Sequence, residues 1–395
     1  GGKMKYSFAN RMHGVDESFI REILKVTEKP EIISFAGGLP NPGLFPVREI
    51  SDAAQKALAC KGESALQYAT TEGYLPLREF IAQRYQLKQG LEVSPDEILI
   101  TNGSQQGIDL VAKILLNRGD HVIIERPGYL GAIQAISLYE TEFHGVSMED
   151  DGVDTAELED VFKDHPIKLF YAVPNFQNPS GISYSRKKRD DVAEILKSTA
   201  AIFLEDDPYG ELRFTGAKLP LIKSQIREQG ILMGSFSKIT VPGTRLGWVC
   251  ADKEIMDKLK VAKQAADLHS NFLSQVIIHQ YLMDNDLDEH IEKIKNVYGQ
   301  QCQCMFSAIQ QYFPAKLTCT KPEGGMFLWV TLPEGVSSME LFEKAIAENV
   351  AFVPGGAFYV NGGGDRSFRL NFSNSTEEKI ETGIKKLAGV IKRML

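Results

Sequence analysis

Lys238 ends an apolar run and is ringed by hydroxyls, in Ser-Phe-Ser-Lys-Ile-Thr-Val-Pro-Gly-Thr-Arg-Leu-Gly-Trp over residues 235–248. A lysine amine condenses with an aldehyde to a Schiff base, while Ser235, Ser237 and Arg245 offer hydrogen bonds and positive charge to a phosphate dianion. The segment has the composition of a seat for an aldehyde cofactor that carries a phosphate. Taken alone, a lysine between small polar residues is as often a plain solvated amine, so the reading rests on what the rest of the chain supplies.

Pyridoxal phosphate chemistry needs a separate partner for each cofactor atom. The ring nitrogen must stay protonated for the ring to withdraw electrons, so a carboxylate shielded from water should face it. Asp206 is the candidate, in Ala-Ile-Phe-Leu-Glu-Asp-Asp-Pro-Tyr-Gly over 201–210, where an apolar run ends in acids and a turn-forming proline. That pattern predicts the carboxyl end of a buried parallel strand, the end at which open α/β sheets bind ligands. Tyr209, three residues on, and Asn178 in Asn-Pro-Ser-Gly can each hydrogen-bond the ring oxygen. Read singly, these motifs are ordinary strand-to-loop and β-turn sequences; their order around Lys238 gives them weight.

The elements that must position these residues follow from periodicity. Short apolar strands at 98–100, 169–173 and 201–204 alternate with amphipathic helical stretches such as 185–198, which predicts a mainly parallel α/β sheet. A long charged helical region over 286–312 precedes a strand near 325–330, a helix near 338–349 and a terminal helix after Ser375. The expected organisation is an N-terminal arm over 1–45 that joins the small domain, a large cofactor-binding domain over 46–285, and a C-terminal small α/β domain over 286–395.

Over nearly its whole length the chain resembles the fold type I pyridoxal phosphate enzymes of the class I/II aminotransferase family. It is similar in particular to bacterial 2-aminoadipate aminotransferases and to kynurenine/aminoadipate aminotransferases. The resemblance is carried by Phe-Ala-Gly-Gly-Leu-Pro-Asn-Pro (35–42), Leu-Gln-Tyr (66–68), Gly-Ser-Gln-Gln-Gly (103–107), Asn-Pro-Ser-Gly (178–181), Glu-Asp-Asp-Pro-Tyr (205–209), Ser-Phe-Ser-Lys (235–238) and Phe-Arg-Leu-Asn-Phe (368–372). It implies a seven-stranded, mainly parallel sheet sandwiched by helices, plus the smaller α/β domain.

The resemblance also implies roles. Lys238 carries the cofactor, Asp206 pairs with the pyridinium, Asn178 and Tyr209 contact the ring oxygen, and Tyr129 stacks on the ring. Ser104, Gln105, Ser235, Ser237 and Arg245 hold the phosphate, and Arg369 binds the substrate α-carboxylate. Elementary chemistry agrees: Ser104 and Gln105 precede a helical apolar pattern, and a helix start suits a phosphate. Arg369 lies in an alternating segment, where Arg369 and Asn371 should share one face, and its planar guanidinium grips a carboxylate with two parallel bonds. Gly37 and Gly38 let backbone approach a substrate. The resemblance implies that the N-terminal arm carries a mobile helix, and Arg21 and Ser18 match positions on it that meet a distal carboxylate in aminoadipate-using relatives. A homodimer is implied, with Tyr68 reaching the neighbouring chain's phosphate and the loop of His269 and Asn271 bordering its pocket; His269 by itself reads as a solvated helix residue.

The implied activity is transfer of an amino group from an L-amino acid, 2-aminoadipate or a broader set including aromatic and branched-chain donors, to 2-oxoglutarate by alternating half-reactions. Two rivals are a β-lyase or decarboxylase on the same fold, and a non-catalytic amino-acid-sensing module. The thirty or so residues ahead of the 35–42 motif are few for a winged helix, since domains start near about 50 residues. The 395 residues, 43% of them apolar, can bury two cores, and a net charge of −8 with interspersed signs disfavours nucleic acid or an anionic membrane as partner. No apolar run reaches a membrane span and no signal peptide is evident, so a cytoplasmic enzyme acting on small amino and 2-oxo acids is expected. Five cysteines without metal or redox spacing read as reduced thiols, and no metal site is expected.

Overall fold

The computed structural model describes residues 5–14 and 19–395. Its strands, in chain order, begin with β1 (Ile33–Ser34), β2 (Ile98–Asn102), β3 (His121–Arg126), β4 (Glu142–Glu149) and β5 (Gly152–Val153). There follow β6 (Ile167–Ala172), β7 (Ile202–Asp206), β8 (Gly230–Ser235) and β9 (Leu246–Cys250). The last five are β10 (Thr318–Cys319), β11 (Phe327–Thr331), β12 (Val350–Ala351), β13 (Val353–Pro354) and β14 (Ser367–Asn371).

The large sheet has the order β2-β9-β8-β7-β6-β3-β4-β5. Strands β4, β3, β6, β7 and β8 run parallel, as βα repeats require, and β9 is antiparallel to both β8 and β2. The expected count was seven; the eighth member is the two-residue β5, which folds back against the end of β4 and is too short to leave a hydrophobic signature. The central strands are buried along nearly their whole length, which is why they read as continuous apolar runs rather than as alternation.

Helix boundaries follow capping chemistry. Ser185, Asp286 and Thr376 each accept a first-turn backbone N–H at the start of the helices Arg186–Lys197, Leu287–Tyr312 and Glu377–Met394. Such caps stabilise a helix by about 1 kcal/mol each. The sequence places all three starts within a residue or two.

The second sheet, β10-β11-β14-β13, is antiparallel. The N-terminal segment ties onto this part of the chain, with β1 parallel to β12 and Phe35 accepting from the Asn371 backbone N–H at 2.9 Å. The small helix Phe19–Val26 packs Ile23, with Phe19 and Ile20, on a patch that includes Trp329 and Phe358. Among the described residues no helix is long and apolar enough to cross a membrane.

Candidate active site

Because β3, β6, β7 and β8 run parallel and β2 points the same way through β9, their carboxyl ends share one edge of the sheet. Off these ends come, in turn, Ser104, Tyr129, Asn178, Asp206 with Tyr209, and Lys238. Topology thus gathers residues more than a hundred positions apart.

Asp206 closes β7 and is 2% exposed. Its Oδ2 accepts a 2.5 Å hydrogen bond from the Tyr171 hydroxyl, while Oδ1 is buried with no partner. Burial above all pushes the carboxyl up to about 7, against the Tyr171 bond and the attraction of Lys238. An orphaned, desolvated carboxylate oxygen is costly unless a cationic donor completes it.

Lys238 lies in the turn after β8, part-buried, with Nζ 3.3 Å from the Gly38 carbonyl and 5.9 Å from the Tyr209 ring centroid. Desolvation first, then Arg245 and Arg369, lowers its amine to about 8, with Asp206 acting the other way. A lysine so placed is partly neutral near physiological pH and therefore nucleophilic.

Around it stand the candidate phosphate groups. Ser235 Oγ accepts from the Ser237 N–H at 2.9 Å. Ser104 and Gln105 occupy the first turn of the Gly103–Leu115 helix, whose N-cap residue Asn102 turns its side chain to Asp267, so no side-chain cap occupies the helix start. Gly103 has φ +71°, and a Cβ there would strike the Arg245 guanidinium; the absent side chain leaves a cradle with positive walls. Gln105 Nε2 donates to the Gly131 carbonyl at 2.7 Å, and the Tyr129 hydroxyl lies 3.4 Å from Gln105 Oε1. Burial raises the Tyr129 phenol to about 12 and that of Tyr209 higher still, so both are neutral donors.

Arg369 enters from β14 of the second sheet, 2% exposed. Nη1 donates to Asn178 Oδ1 at 2.7 Å and Nη2 to the Ala36 carbonyl at 2.8 Å, while Nε is buried without a partner. Phe327 and Phe358 flank the guanidinium at 4.4 and 5.3 Å from their ring centroids. Burial lowers it to about 10, and no carboxylate pairs with it among the described residues. The alternation expected around Arg369 is modified: β14 is buried on both faces.

Other expected residues lie apart. Arg21 is exposed on the helix Phe19–Val26, and Ser18 lies outside the described residues. Gly38 joins the cluster through its carbonyl, and a Cβ there would meet only Phe327 at 3.9 Å, so it fronts open space. Tyr68 is 78% exposed, edge-on to His269 at 6.1 Å. His269 corrects its reading as a solvated helix residue. It follows the Lys253–Asp267 helix, part-buried, with Nδ1–H donating to the Ser270 carbonyl at 2.8 Å and Nε2 accepting from Ala69 N–H at 3.2 Å. Nε2 thus pins the Tyr68 loop while Nδ1 fixes the ring on its own backbone.

Tyr171 and the two phenylalanines were not foreseen. The usable signal was a tyrosine inside an apolar strand, because a buried phenol seeks a partner. The residues present fit pyridoxal phosphate: an orphaned carboxylate oxygen for a ring N–H, a positive cradle for a phosphate and a poised amine for an aldehyde.

Comparison with known proteins agrees. Residues 31–387 match the family "Aminotransferase class I and II". The 2-aminoadipate transaminase of Thermus thermophilus is 42% identical over 96% of this chain and 95% of its own length. Aromatic-amino-acid aminotransferase 1 of Thermococcus litoralis is 40% identical over 98% and 94%. Among solved structures, Pyrococcus horikoshii kynurenine aminotransferase in complex with PMP superposes with a TM-score of 0.94 at 40% identity, covering 98% of this chain and 97% of that one.

Proposed function

Since the chain belongs to the class I and II aminotransferases and is a pyridoxal phosphate-dependent aminotransferase, we propose that its amino donors are 2-aminoadipate together with a broader set of aromatic and branched-chain L-amino acids, with 2-oxoglutarate as acceptor. The observation that carries the reading is Arg369, a buried guanidinium that lacks an acidic partner among the described residues and keeps an unpaired Nε beside Lys238. A charge buried this way is costly until an anion meets it, and an α-carboxylate is the anion that every amino and 2-oxo acid shares.

When bound, pyridoxal phosphate supplies an aldehyde carbon that links to amines and a protonated ring that withdraws electrons from the substrate Cα. Asp206 keeps the proton at the ring nitrogen, and Tyr171 orients it by holding Oδ2 so that Oδ1 is the free oxygen. Ser104, Gln105, Ser235, Ser237, Arg245 and the start of the Gly103–Leu115 helix hold the phosphate, and Tyr129 covers the ring face. Tyr209 and Asn178 would donate to the ring oxygen. Lys238 Nζ would take the proton from the substrate Cα, which needs the amine neutral. Arg369 fixes the carboxylate, and with it the angle of the Cα–H bond.

The name of the Thermus relative supports the acidic donor and those of the Thermococcus and Pyrococcus relatives support the aromatic ones. Arg21, exposed on a small helix that packs over the second sheet, is assigned to the distal carboxylate, as is Ser18. The chain acts as a homodimer in this reading, with the exposed Tyr68 crossing to the neighbouring cofactor phosphate, and its units are 1–45 with 286–395, and 46–285.

The test is the absorption of the cofactor-loaded protein as L-2-aminoadipate, glutamate, leucine, kynurenine and tyrosine are added in parallel. Loss of the lysine-linked cofactor band at low aminoadipate, restored by 2-oxoglutarate, supports the assignment. If aminoadipate leaves the band unchanged while leucine or tyrosine discharges it, the acidic-donor reading fails.

A further inference from the structure

We infer that His121, His144 and His165 form a binding site for a first-row divalent cation of the zinc, nickel or copper type, at the end of the sheet opposite the catalytic residues. His121 opens β3, His144 lies in β4 and His165 caps the Thr155–Asp164 helix just ahead of β6. Three adjacent elements thus converge there, with His121 paired in register to Glu142 of β4 and Ile167 of β6.

The donor geometry is close to what a metal requires. One ligand nitrogen from each ring lies within 4.8 Å of the others, and His121 Nδ1 is 2.8 Å from His144 Nε2. The rings stack, with centroids 4.1 to 5.1 Å apart. Imidazole nitrogens about 2.0 to 2.1 Å from a tetrahedral zinc stand roughly 3.4 Å from one another, so side-chain rotation of about an ångström completes the set without moving the strands. Glu142 offers a fourth ligand, its Oε2 3.5 Å from His121 Nδ1 and its side chain 64% exposed. All three histidines are part-buried, so an ion can enter from solvent.

Chemistry selects the ion. Three imidazoles and one carboxylate suit zinc, nickel or copper, whereas magnesium and calcium prefer all-oxygen shells. Three of the chain's seven histidines meet here, and none of them touches the Lys238 cluster.

Position dictates the consequence. Tyr129 follows the carboxyl end of β3 while His121 starts its amino end, and a six-residue strand spans about 20 Å. A cation would clamp β3, β4 and the entry to β6 without reaching the reacting atoms, so it stabilises the fold and leaves turnover unchanged.

Chelator-treated, cofactor-loaded enzyme is titrated with zinc chloride by calorimetry. One ion per chain is expected, weakened at least about tenfold by His144→Ala and by His165→Gln, since loss of even an outer-shell partner costs about 10–100-fold. Magnesium chloride should give no binding heat. The copper-loaded protein should show nitrogen hyperfine structure in its paramagnetic resonance spectrum, and zinc should raise the melting temperature of the parent but of neither variant. Transamination by the variants serves as the folding control, and the His165→Gln variant carries the test if His144→Ala misfolds. The inference is overturned if zinc binds both variants as tightly as the parent, or if Cys60→Ser abolishes binding instead.

Discussion

Among the described residues, the two arginines with fully buried side chains, Arg189 and Arg369, are provided for very differently. Arg189, 0% exposed, spends its donors on the carbonyls of Tyr184, Pro174 and Pro220 and on Asn175, at 2.5 to 3.1 Å, with Glu205 and Asp207 near enough to favour its charge. Arg369 makes two bonds, keeps Nε unpaired, and has no carboxylate partner among the described residues. The lysines repeat the contrast. Lys263, its side chain fully buried, reaches both Asp267 oxygens at 2.7 and 2.8 Å, whereas Lys238 has one carbonyl at 3.3 Å. Burial marks neither pair as functional; incomplete satisfaction does, because a fold leaves a desolvated charge unanswered only where a ligand answers it.

The comparison breaks most visibly at the lysines. Lys238→Ala should lower transamination by about 10^4-fold or more, the effect of losing a general base, while Lys263→Met should change turnover less than about twofold and act on the melting temperature instead; stopped assays and melts on both variants decide. Next come the arginines. Arg369→Gln should cost about 10^2- to 10^3-fold in kcat/KM with unchanged or raised thermal stability, and Arg189→Gln should remove about 3 kcal/mol of stability while the protein that remains folded stays active. If the two swap phenotypes, unsatisfied burial is not the signature claimed.

A subtler sharpening is the pH dependence of cofactor capture. The Lys238 ammonium cannot attack an aldehyde, and its pKa is lowered to about 8; the rate at which cofactor-free protein forms the Schiff base should rise with pH and level off above about 8, a decade or more earlier than for an ordinary lysine. A rate still climbing steeply at pH 10 would contradict the lowered amine. Smallest is Arg21→Ala, expected to cost about tenfold in kcat/KM for 2-aminoadipate and little for leucine; equal losses on both would remove the distal contact.

How much of this was legible depended on how local each cause is. Caps such as Ser185 and Asp286, and the apolar runs ending at Asp206 and Ser235, are written within a few residues, so element positions and the strand ends could be read directly. The Tyr171 bond to Asp206 joins strands 35 positions apart, and the Phe327–Arg369–Phe358 stack depends on β11, β14 and the turn after β13 meeting in the second sheet. No spacing rule encodes either. His269 was misread because a pinned imidazole and a solvated one look alike until Ala69 and Ser270 are placed against it.

The bond from Arg369 to Asn178 also bears on how this enzyme ages. Were that carboxamide to hydrolyse, the resulting aspartate would keep its shape and seat a permanent negative charge on the guanidinium, 2.7 Å away, displacing every substrate by mimicry. Asparagine usually deamidates when the next backbone nitrogen, bearing its hydrogen, attacks the side chain. Residue 179 is proline, which has no such hydrogen to give up; the molecular clock that converts exposed asparagines over days is stopped at the one position where its ticking would close the site.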